Sequence, residues 1–486
     1  MKRVSACTVI ILWWGATAQA RTSQEVFSRS FMYTRPGYDH LSMESDLWYY
    51  LIYTKSRPAK AAVQIVPFMQ RSLPLEKTTR YFLINGQDAL LVAGDAEYRD
   101  LPTRNVRAEY LNLPSTFRGV LSVNPLQRQT GFYVQYNQDL SKWCGDTFFF
   151  KNWYLNIRMP VLAVDNDWNL TQTDIANPGA TTTQPQDILQ AFSQPAWVYS
   201  RYEGLATKVN VGEIKVALGT VFRADEFTHL GAFSSLVIPT GNKQDGKFIF
   251  EPYVGNNRHV GLAGAVHMQF LINEDPNVVA ICFFVDLEGT FLVRNKQERT
   301  FDLRGKEWSR FLLFNFEDGP PNQNIPGVNL LTRRALVRTY GIADFSTGWR
   351  FVGKNIQGEI CYNLWGHDQE RIEIRDPIRR PFGIAAVQPL TDPIAATAST
   401  ATISTIPVTD MANGQPTFIP VTLFDFDERS AAASSALSHK AQASVGIVYG
   451  KERIDAFAGL GAFIDIPQKN GSLRNWGIWG KIGASF

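Results

Sequence analysis

Histidine is the residue type in this sequence that could most readily act as a general base, and the six histidines are His40, His229, His259, His267, His367 and His439. Among them, His267 lies in the middle of an alternating apolar and polar segment, on its polar side. A histidine base needs a nucleophile to activate, and no motif such as Gly-x-Ser-x-Gly accompanies it. We therefore expect no enzyme activity, and we predict that His267 is a solvated or paired side chain.

Metal and cofactor chemistry is not indicated either. The four cysteines, Cys7, Cys144, Cys282 and Cys361, are too far apart for a metal-binding knuckle or a disulfide framework. The sequence also contains neither a phosphate-binding loop nor a dinucleotide fingerprint. No cofactor and no metal are expected, and a single disulfide among Cys144, Cys282 and Cys361 is left open.

The amino terminus predicts secretion. Lys2 and Arg3 precede an apolar run of about a dozen residues, which ends near Ala18-Gln19-Ala20. A spanning helix needs about 20 apolar residues, so residues 1–20 are interpreted as a signal peptide that is cleaved near Ala20. The formal net charge then falls from +3 to +1, which argues against nucleic acid as a partner.

Charged and amide side chains occupy every second position of many apolar segments. Trp153, Leu155 and Ile157 point to one side of such a segment, whereas Asn156 and Arg158 point to the other. These segments are therefore predicted to be strands with water on one face and an apolar environment on the other. The candidates for the water-filled lumen are Arg158, Glu213, Lys215, His267, Arg350, Glu359, Lys440, Arg453, Asp455, Asp465 and Lys481.

The last fourteen residues show this alternation clearly. Trp476, Ile478 and Ile482 share the apolar row, Lys481 lies in the polar row, and the sequence ends at Phe486. Such an ending resembles the terminal strand of Gram-negative outer-membrane β-barrels, in which the last strand is also read by the assembly machinery. The resemblance implies that Phe486, Ile482 and Ile478 form an assembly signal, and that the protein resides in the bacterial outer membrane.

A second resemblance concerns the middle of the chain. Val211-Gly-Glu-Ile, followed by Gly231 to Gly241 with its Pro-Thr-Gly turn, is similar to FadL-like channels and their aromatic-degradation relatives over about forty residues. In FadL-like barrels an amino-terminal segment plugs the lumen. Residues 21–60, with a short helix predicted within Asp39–Tyr53, are therefore interpreted either as a lumen plug or as a surface helix at the periplasmic rim.

The predicted fold is all-β, an antiparallel transmembrane β-barrel over residues 61–486 with a short amino-terminal helical segment. We predict about fourteen strands, with twelve or sixteen as alternatives, because a sheet in lipid must close. The strands are 61–71, 104–112, 131–140, 148–163, 209–222, 229–240, 246–255, 259–272, 277–294, 338–351, 354–366, 438–450, 452–466 and 473–486. Long loops are expected outside at 72–103, 295–337 and 367–437, while the long connection 165–205 falls on the periplasmic side of this count.

These patterns favour a porin-like channel for passive uptake of small solutes, amphipathic or apolar, over an outer-membrane barrel that is structural or adhesive through its external loops. The expected partners are outer-membrane lipid, the barrel assembly machinery and a small-molecule solute. The solute and the oligomeric state are left open by the sequence.

Overall fold

The computed structural model describes residues 25–41, 43, 59–98, 103–141, 152–179, 181–224, 228–274, 279–320, 322–339, 341–387, 395–451 and 454–486. The predicted signal peptide 1–20, most of the helix predicted within Asp39–Tyr53, Cys144 and Arg453 lie outside these residues.

The predicted all-β antiparallel barrel is confirmed. Its strands are β1 (Ala61–Leu73), β2 (Leu126–Asp139), β3 (Trp153–Asp167), β4 (Ile214–Ala224), β5 (His229–Ile238), β6 (Gly261–Glu274), β7 (Ala280–Leu292), β8 (Ile342–Val352), β9 (Ile356–His367), β10 (Ala436–Lys451), β11 (Ile454–Pro467) and β12 (Arg474–Ser485). Each strand pairs with the next along the chain, and β12 pairs with β1 to close the sheet. The described strands thus form a barrel of twelve, one of the two alternatives, and not of fourteen.

Two predicted strands are wrong. Segment 104–112 contains only the two-residue strand Val106–Arg107 and a 3-10 helix, because Asn112 adopts a left-handed backbone with φ of 61° and both sides of the segment are buried. Segment 246–255 is not a strand, since Gly246, Phe250 and Gly255 all have positive φ. A positive φ at these positions is incompatible with an extended strand.

The predicted strand 209–222 is divided by a bulge. A short strand, Ala206–Val211, and β4 both pair with β3, and Gly212 and Glu213 lie between them. Val211 is opposite Val161, and Lys215 is opposite Arg158. Three residues separate Val211 from Lys215, whereas two residues separate Arg158 from Val161 on β3, so segment 211–215 contains one extra residue. An extra residue in one strand bends it. The short strand continues beyond the barrel wall and pairs only with β3 among the described strands.

The two faces of the barrel differ in polarity, as the alternation predicts. On β1, Gln64 and Gln70 point inward and are buried, whereas Ile65 points outward and is 42% exposed. On β11 and β12 the outward residues include Leu460 and Ile482, which are 69% and 56% exposed. An exposed apolar band around a closed sheet is suited to hydrocarbon, because the sheet has no unpaired edge.

The two ends of the barrel also differ. At one end, called the terminal end, β1 begins and the Phe486 amide donates a hydrogen bond to the Ala61 carbonyl. At this end only two or three residues separate β8 from β9 and β10 from β11. The long connections 74–125, 168–213, 239–260, 293–341 and 368–435 all lie at the other end. The connection predicted at 165–205 therefore lies with the other long ones, because the strand predicted at 104–112 is not part of the barrel.

These long connections are not irregular loops; they form a folded cap. Its strands are Ala89–Ala93, Val106–Arg107, Arg118–Val123, Leu170–Ala176, Ala206–Val211, Asn295–Thr300, Asp302–Leu303, Leu313–Phe316, Ile325–Pro326, Thr332–Arg338, Arg371–Ile374, Phe382–Ile384, Ala395–Thr397, Ile406–Val408, Asp410–Ala412, Gln415–Thr417 and Phe426–Asp427. Its helices are Glu76–Phe82, Asp95–Tyr98, Ile188–Phe192 and Gly327–Leu331, with 3-10 turns at Ile84–Gly86, Ala108–Leu111, Ser309–Phe311 and Leu423–Asp425. The Asp187 side chain caps helix Ile188–Phe192 by accepting a hydrogen bond from Gln190 N at 2.8 Å.

The cap has its own hydrophobic core. Trp308 packs against Phe311 with ring centroids 5.0 Å apart, and Phe192 and Trp197 lie 5.2 Å and 5.3 Å from Phe311. Phe382 and Phe426, which come from the connection predicted to be irregular, are buried in the same core. Short strands separated by turns have no long alternation of apolar and polar residues, so the sequence does not predict the short strands of the cap. Across the described residues, no helix is both long and apolar enough to cross a membrane.

Candidate functional site

Residues 25–41 and 43, here called the lumen segment, run from the cap into the barrel. At the cap, the Val26 amide donates to Asn470 Oδ1 at 3.2 Å, and Ser28 Oγ donates to Asp302 Oδ2 at 3.1 Å. At its inner end, the Met43 carbonyl accepts a hydrogen bond from Lys481 Nζ at 2.9 Å. The barrel interior is therefore occupied by a piece of the chain itself.

The cap end of this segment is held by a buried ion pair. Arg310 Nη1 lies 3.5 Å from Asp302 Oδ2, and both side chains are almost fully buried. Burial raises the pKa of Asp302 although Arg310 opposes the shift, and burial lowers the pKa of Arg310. Arg310 also donates to the Ser28 carbonyl at 3.2 Å. Each charge has a partner, which is the condition for keeping charges inside a protein.

Arg35 is the anchor of the segment on one side of the lumen. Its Nη2 donates to Asp344 Oδ2 at 2.5 Å on β8, and its Nη1 donates to Asn363 Oδ1 at 3.0 Å on β9. Asp465 of β11 lies 4.0 Å away, and the guanidinium sits 5.3 Å from the centre of the Trp365 ring. A short charge-assisted bond in a buried site is strong when the other donors are also satisfied.

Tyr38 and Asp39 attach the segment to the opposite side. Arg158 of β3 donates to Asp39 Oδ1 at 3.1 Å and to the Tyr38 carbonyl at 3.3 Å. The Tyr38 hydroxyl donates to Glu213, whose other oxygen accepts from the Asn256 amide. The bulge at Gly212 and Glu213 thus directs a carboxylate inward onto the segment. The segment spans the lumen between β3 and β8.

His40 contributes a further polar contact. Lys440 Nζ lies 3.1 Å from His40 Nδ1, and His40 Nε2 lies 3.0 Å from Gln70 Oε1. An ammonium group only donates, so Nδ1 must accept, and the ring proton is then on Nε2, where it is donated to Gln70. This arrangement requires a neutral imidazole. It links β10 to β1 across the segment.

Other charges pair within the wall. Among the described residues, Lys215 pairs with Glu288 at 2.6 Å and Arg350 pairs with Glu359 at 2.7 Å, while His267 Nδ1 lies 3.1 Å from Asp286 Oδ1. The first pair joins β4 to β7 over the Phe233 ring, which lies 5.1 Å from the ammonium. The interior therefore carries charges of both signs in close pairs, which gives no excess of one sign for attracting ions.

The structure places most of the residues predicted for the lumen in the barrel interior. Those that are buried there are Arg158, Glu213, Lys215, His267, Arg350, Glu359, Lys440, Asp465 and Lys481, while Asp455 is half-buried near the terminal end. Arg453 lies outside the described residues. Phe486, Ile482 and Ile478 are exposed, with Ile482 and Ile478 on the outer face.

Several residues of the barrel interior are not among those predicted from the sequence. Asp286, Glu288 and Asp344 share the parity of the polar rows, so the alternation alone could have identified them. Arg35 and Asp39 belong to a segment without a period of two, and no local pattern indicates what they contact. Cys282 and Cys361 are buried and free, so they do not form a disulfide with each other. No group of three metal-ligating side chains occurs in the part of the chain that the structure describes.

Solved structures of outer-membrane proteins resemble this chain at low sequence identity and low TM-score. No protein-family model matches the sequence, and no curated protein does. An outer membrane channel from Pseudomonas putida F1 is 10% identical over 88% of this chain and 96% of that chain, with a TM-score of 0.37. The transport unit of the autotransporter AIDA-I from Escherichia coli is 8% identical over 89% and 91%, with a TM-score of 0.34. A Pseudomonas aeruginosa FadL homologue is 8% identical over 88% and 90%, with a TM-score of 0.27.

FadL-like channels, which the sequence resembles, are therefore also among the solved structures that resemble the fold. Identities and TM-scores this low do not decide what this chain does. The geometry of its own barrel, lumen segment and cap has to supply the functional argument.

Proposed function

We propose that this protein is a channel in the outer membrane of a Gram-negative bacterium that takes up small solutes passively through its barrel. The exposed apolar band of the closed twelve-stranded sheet supports a position in lipid. The cap would face the outside, and the terminal end would face the periplasm.

The observation that carries this proposal is how the lumen segment is held. Arg35, Asp39 and His40 attach it to the wall by ion pairs and hydrogen bonds. Water that enters the lumen would hydrate these polar groups after the segment moves, so they would remain hydrogen-bonded. The segment would act as a plug that leaves its place while a solute passes.

The proposed solute is small and amphipathic or apolar. The inward aromatic side chains that could contact it are Tyr133, Tyr154, Phe457, Phe463 and Trp479, all of which are buried. Polar side chains lie two residues away on the same face, such as Asn156 beside Tyr154 and Asp465 beside Phe463, so the path offers apolar ring faces and hydrogen-bonding groups together. An aromatic ring in a strand can also serve only to brace its neighbours.

Conductance in planar bilayers and swelling of liposomes test the channel. The double variant Arg35→Gln with Asp39→Asn removes both charged anchors, and we expect higher conductance than in the wild type. The control, Asp318→Asn with Arg380→Gln, removes an exposed pair in the cap and should conduct like the wild type. Absence of conductance and swelling in the full chain and in a variant without residues 25–43 would exclude a channel.

Adhesion through the cap is the second candidate function. Phe424 is 84% exposed in the cap, and Met411 and Ile419 are 53% and 45% exposed. Deleting residues 376–435 of this connection would remove part of the cap core, so a milder change is needed. The variant Met411→Ser with Phe424→Ser should lose cell-surface binding with unchanged solute uptake if the protein is an adhesin, and should behave like the wild type if it is a channel.

We further propose that the last strand serves as an assembly signal, and that the protein is not an enzyme. Phe486 and Ile482 are 54% and 56% exposed, so they are available to the assembly machinery. His267 faces Asp286 between strands of the wall, where it supports the barrel.

A further inference from the structure

Three arginines lie on the outer face of the barrel at the cap end. Arg71 of β1 is directly opposite Arg128 of β2, and it is directly opposite Trp476 of β12 on its other side. Arg474 precedes Trp476 by two residues and therefore points to the same face. Opposed side chains have Cβ atoms about 5 Å apart and diagonal ones about 7 to 8 Å apart, so the three guanidinium groups share one patch.

The patch has no carboxylate partner in the part of the chain that the structure describes. Arg128 Nε donates to Thr130 Oγ1 at 3.3 Å, and Arg474 Nε is buried without a hydrogen-bond partner. Asp165 stands opposite Arg128 on β3, and it accepts a hydrogen bond from Thr207 at 2.8 Å instead of forming an ion pair. Like charges that face each other directly destabilise a sheet, so this arrangement is suited to an external anion.

The position of the patch indicates the source of the anion. The next outward positions toward the middle of the membrane are Met69 on β1, Thr130 on β2 and Ile478 on β12. Each lies two residues from Arg71, Arg128 or Trp476 on the same strand. These three residues begin a depression of about 840 Å³ in the outer wall, which Pro67 and Gly480 also line. Arginine and tryptophan at the edge of an apolar band lie at the depth of lipid headgroups. The patch and the depression therefore meet at the surface of the bilayer.

We propose that Arg71, Arg128 and Arg474 bind the phosphate groups of a phosphorylated lipid in the leaflet next to the cap, while its acyl chain lies in the depression. Guanidinium groups match phosphate oxygens in two parallel hydrogen bonds. Trp476 packs beside the headgroup. The site rests on the proposed membrane location and not on solute transport.

Lipid retention measured by native mass spectrometry tests the site. The probes are a bis-phosphorylated glycolipid of the lipid A type and the same glycolipid without phosphates, each added to purified full-length protein in detergent. The wild type should retain the phosphorylated lipid more tightly, by on the order of a hundredfold for the three arginines together. Equal retention of both lipids by the wild type would overturn the site, even if no variant folds.

The triple variant Arg71→Gln, Arg128→Gln and Arg474→Gln should lose this preference. The matched control, Arg334→Gln, Arg375→Gln and Arg380→Gln, removes the same charge from exposed ion pairs in the cap and should keep the preference. A triple variant that retains the phosphorylated lipid like the wild type would refute the assignment. Both variants should conduct like the wild type, so a failure of the lipid site is distinguishable from a failure of the channel.

Discussion

The lumen and the cap are both filled with buried side chains, but different forces hold them. In the cap, Trp308, Phe311 and Phe382 belong to one continuous apolar core. In the lumen, Arg35 and Asp344 exemplify a network of ion pairs and hydrogen bonds around the lumen segment. An apolar core loses stability when any part of it is exposed to water, whereas polar groups can exchange partners with water. The cap is thus held by an apolar core, whereas the lumen segment combines polar anchors with apolar packing of Tyr38 and Met43.

The largest effect is expected from a change in the cap core. Trp308 is 1% exposed, and its Nε1 donates to the Phe82 carbonyl at 2.8 Å. Trp308→Ala should lower the free energy of unfolding of the cap by about 3 to 5 kcal/mol. Limited proteolysis should then cleave the cap, while heat-modifiability on gels shows that the barrel remains closed.

Phe424→Ala is the control for this change, because Phe424 is an exposed aromatic of the same cap and its removal should cost less than about 0.5 kcal/mol. Equal protease sensitivity of the two variants would contradict the assignment of a folded cap core.

Breaking the main lumen anchor should have the next largest effect. Arg35→Ala leaves the Asp344 carboxylate buried without its cation, which costs roughly 3 kcal/mol. We expect the lumen segment to be released, so that conductance rises and proteases cleave within residues 25–43, with an intact cap. The double variant Arg35→Gln with Asp344→Asn removes both charges and should have a smaller effect. If Arg35→Ala instead made the cap protease-sensitive, the separation of lumen and cap would be wrong.

Substitutions at two neighbouring positions of β12 compare the lipid-facing surface of the barrel with its lumen. Ile482→Asp places an acid in hydrocarbon, which costs about 2 kcal/mol, and less of this variant should be recovered in the outer membrane. Lys481 points inward and donates to the Met43 carbonyl, so Lys481→Gln keeps a donor there and should be recovered like the wild type. Equal recovery of Ile482→Asp and Lys481→Gln would show that the faces are misassigned.

The smallest effect is expected at an exposed pair. Glu298→Gln breaks the contact with Arg334, whose Nε lies 3.3 Å from Glu298 Oε1 at the cap surface. Exposed ion pairs contribute about 0 to 1 kcal/mol, so thermal unfolding and conductance should both match the wild type. A change as large as that of Arg35→Ala would mean that burial does not distinguish the lumen pairs from surface pairs.

The barrel strands could be predicted because each has one face in lipid and one in a polar interior. Ile478 and Lys481 of β12 follow this rule, and so do Met159 and Arg158 of β3. The cap strands could not be predicted, because a short strand such as Phe382–Ile384 is buried on all sides and has no alternation. The two strands that were wrongly predicted, at 104–112 and 246–255, both lie in the cap, where turns with positive φ replace regular pairing.

The contacts inside the lumen could not be predicted from the sequence either. Arg35 and Asp344 are separated by 309 positions, and His40 and Lys440 by 400. No local pattern relates residues so far apart, since closing the barrel is what brings them together.

The sequence by itself determined that apolar and polar side chains alternate along each barrel strand. The closed sheet, its two faces and the interior location of most predicted charges follow from this alternation. The reason is that side-chain direction in a strand follows from covalent geometry, so a local pattern is enough. Only the tertiary structure decided that twelve strands close the barrel, that the long connections fold into one cap, and that the lumen segment fills the interior. These features depend on side chains from distant parts of the chain satisfying one another in a buried space, and local periodicity carries no information about them.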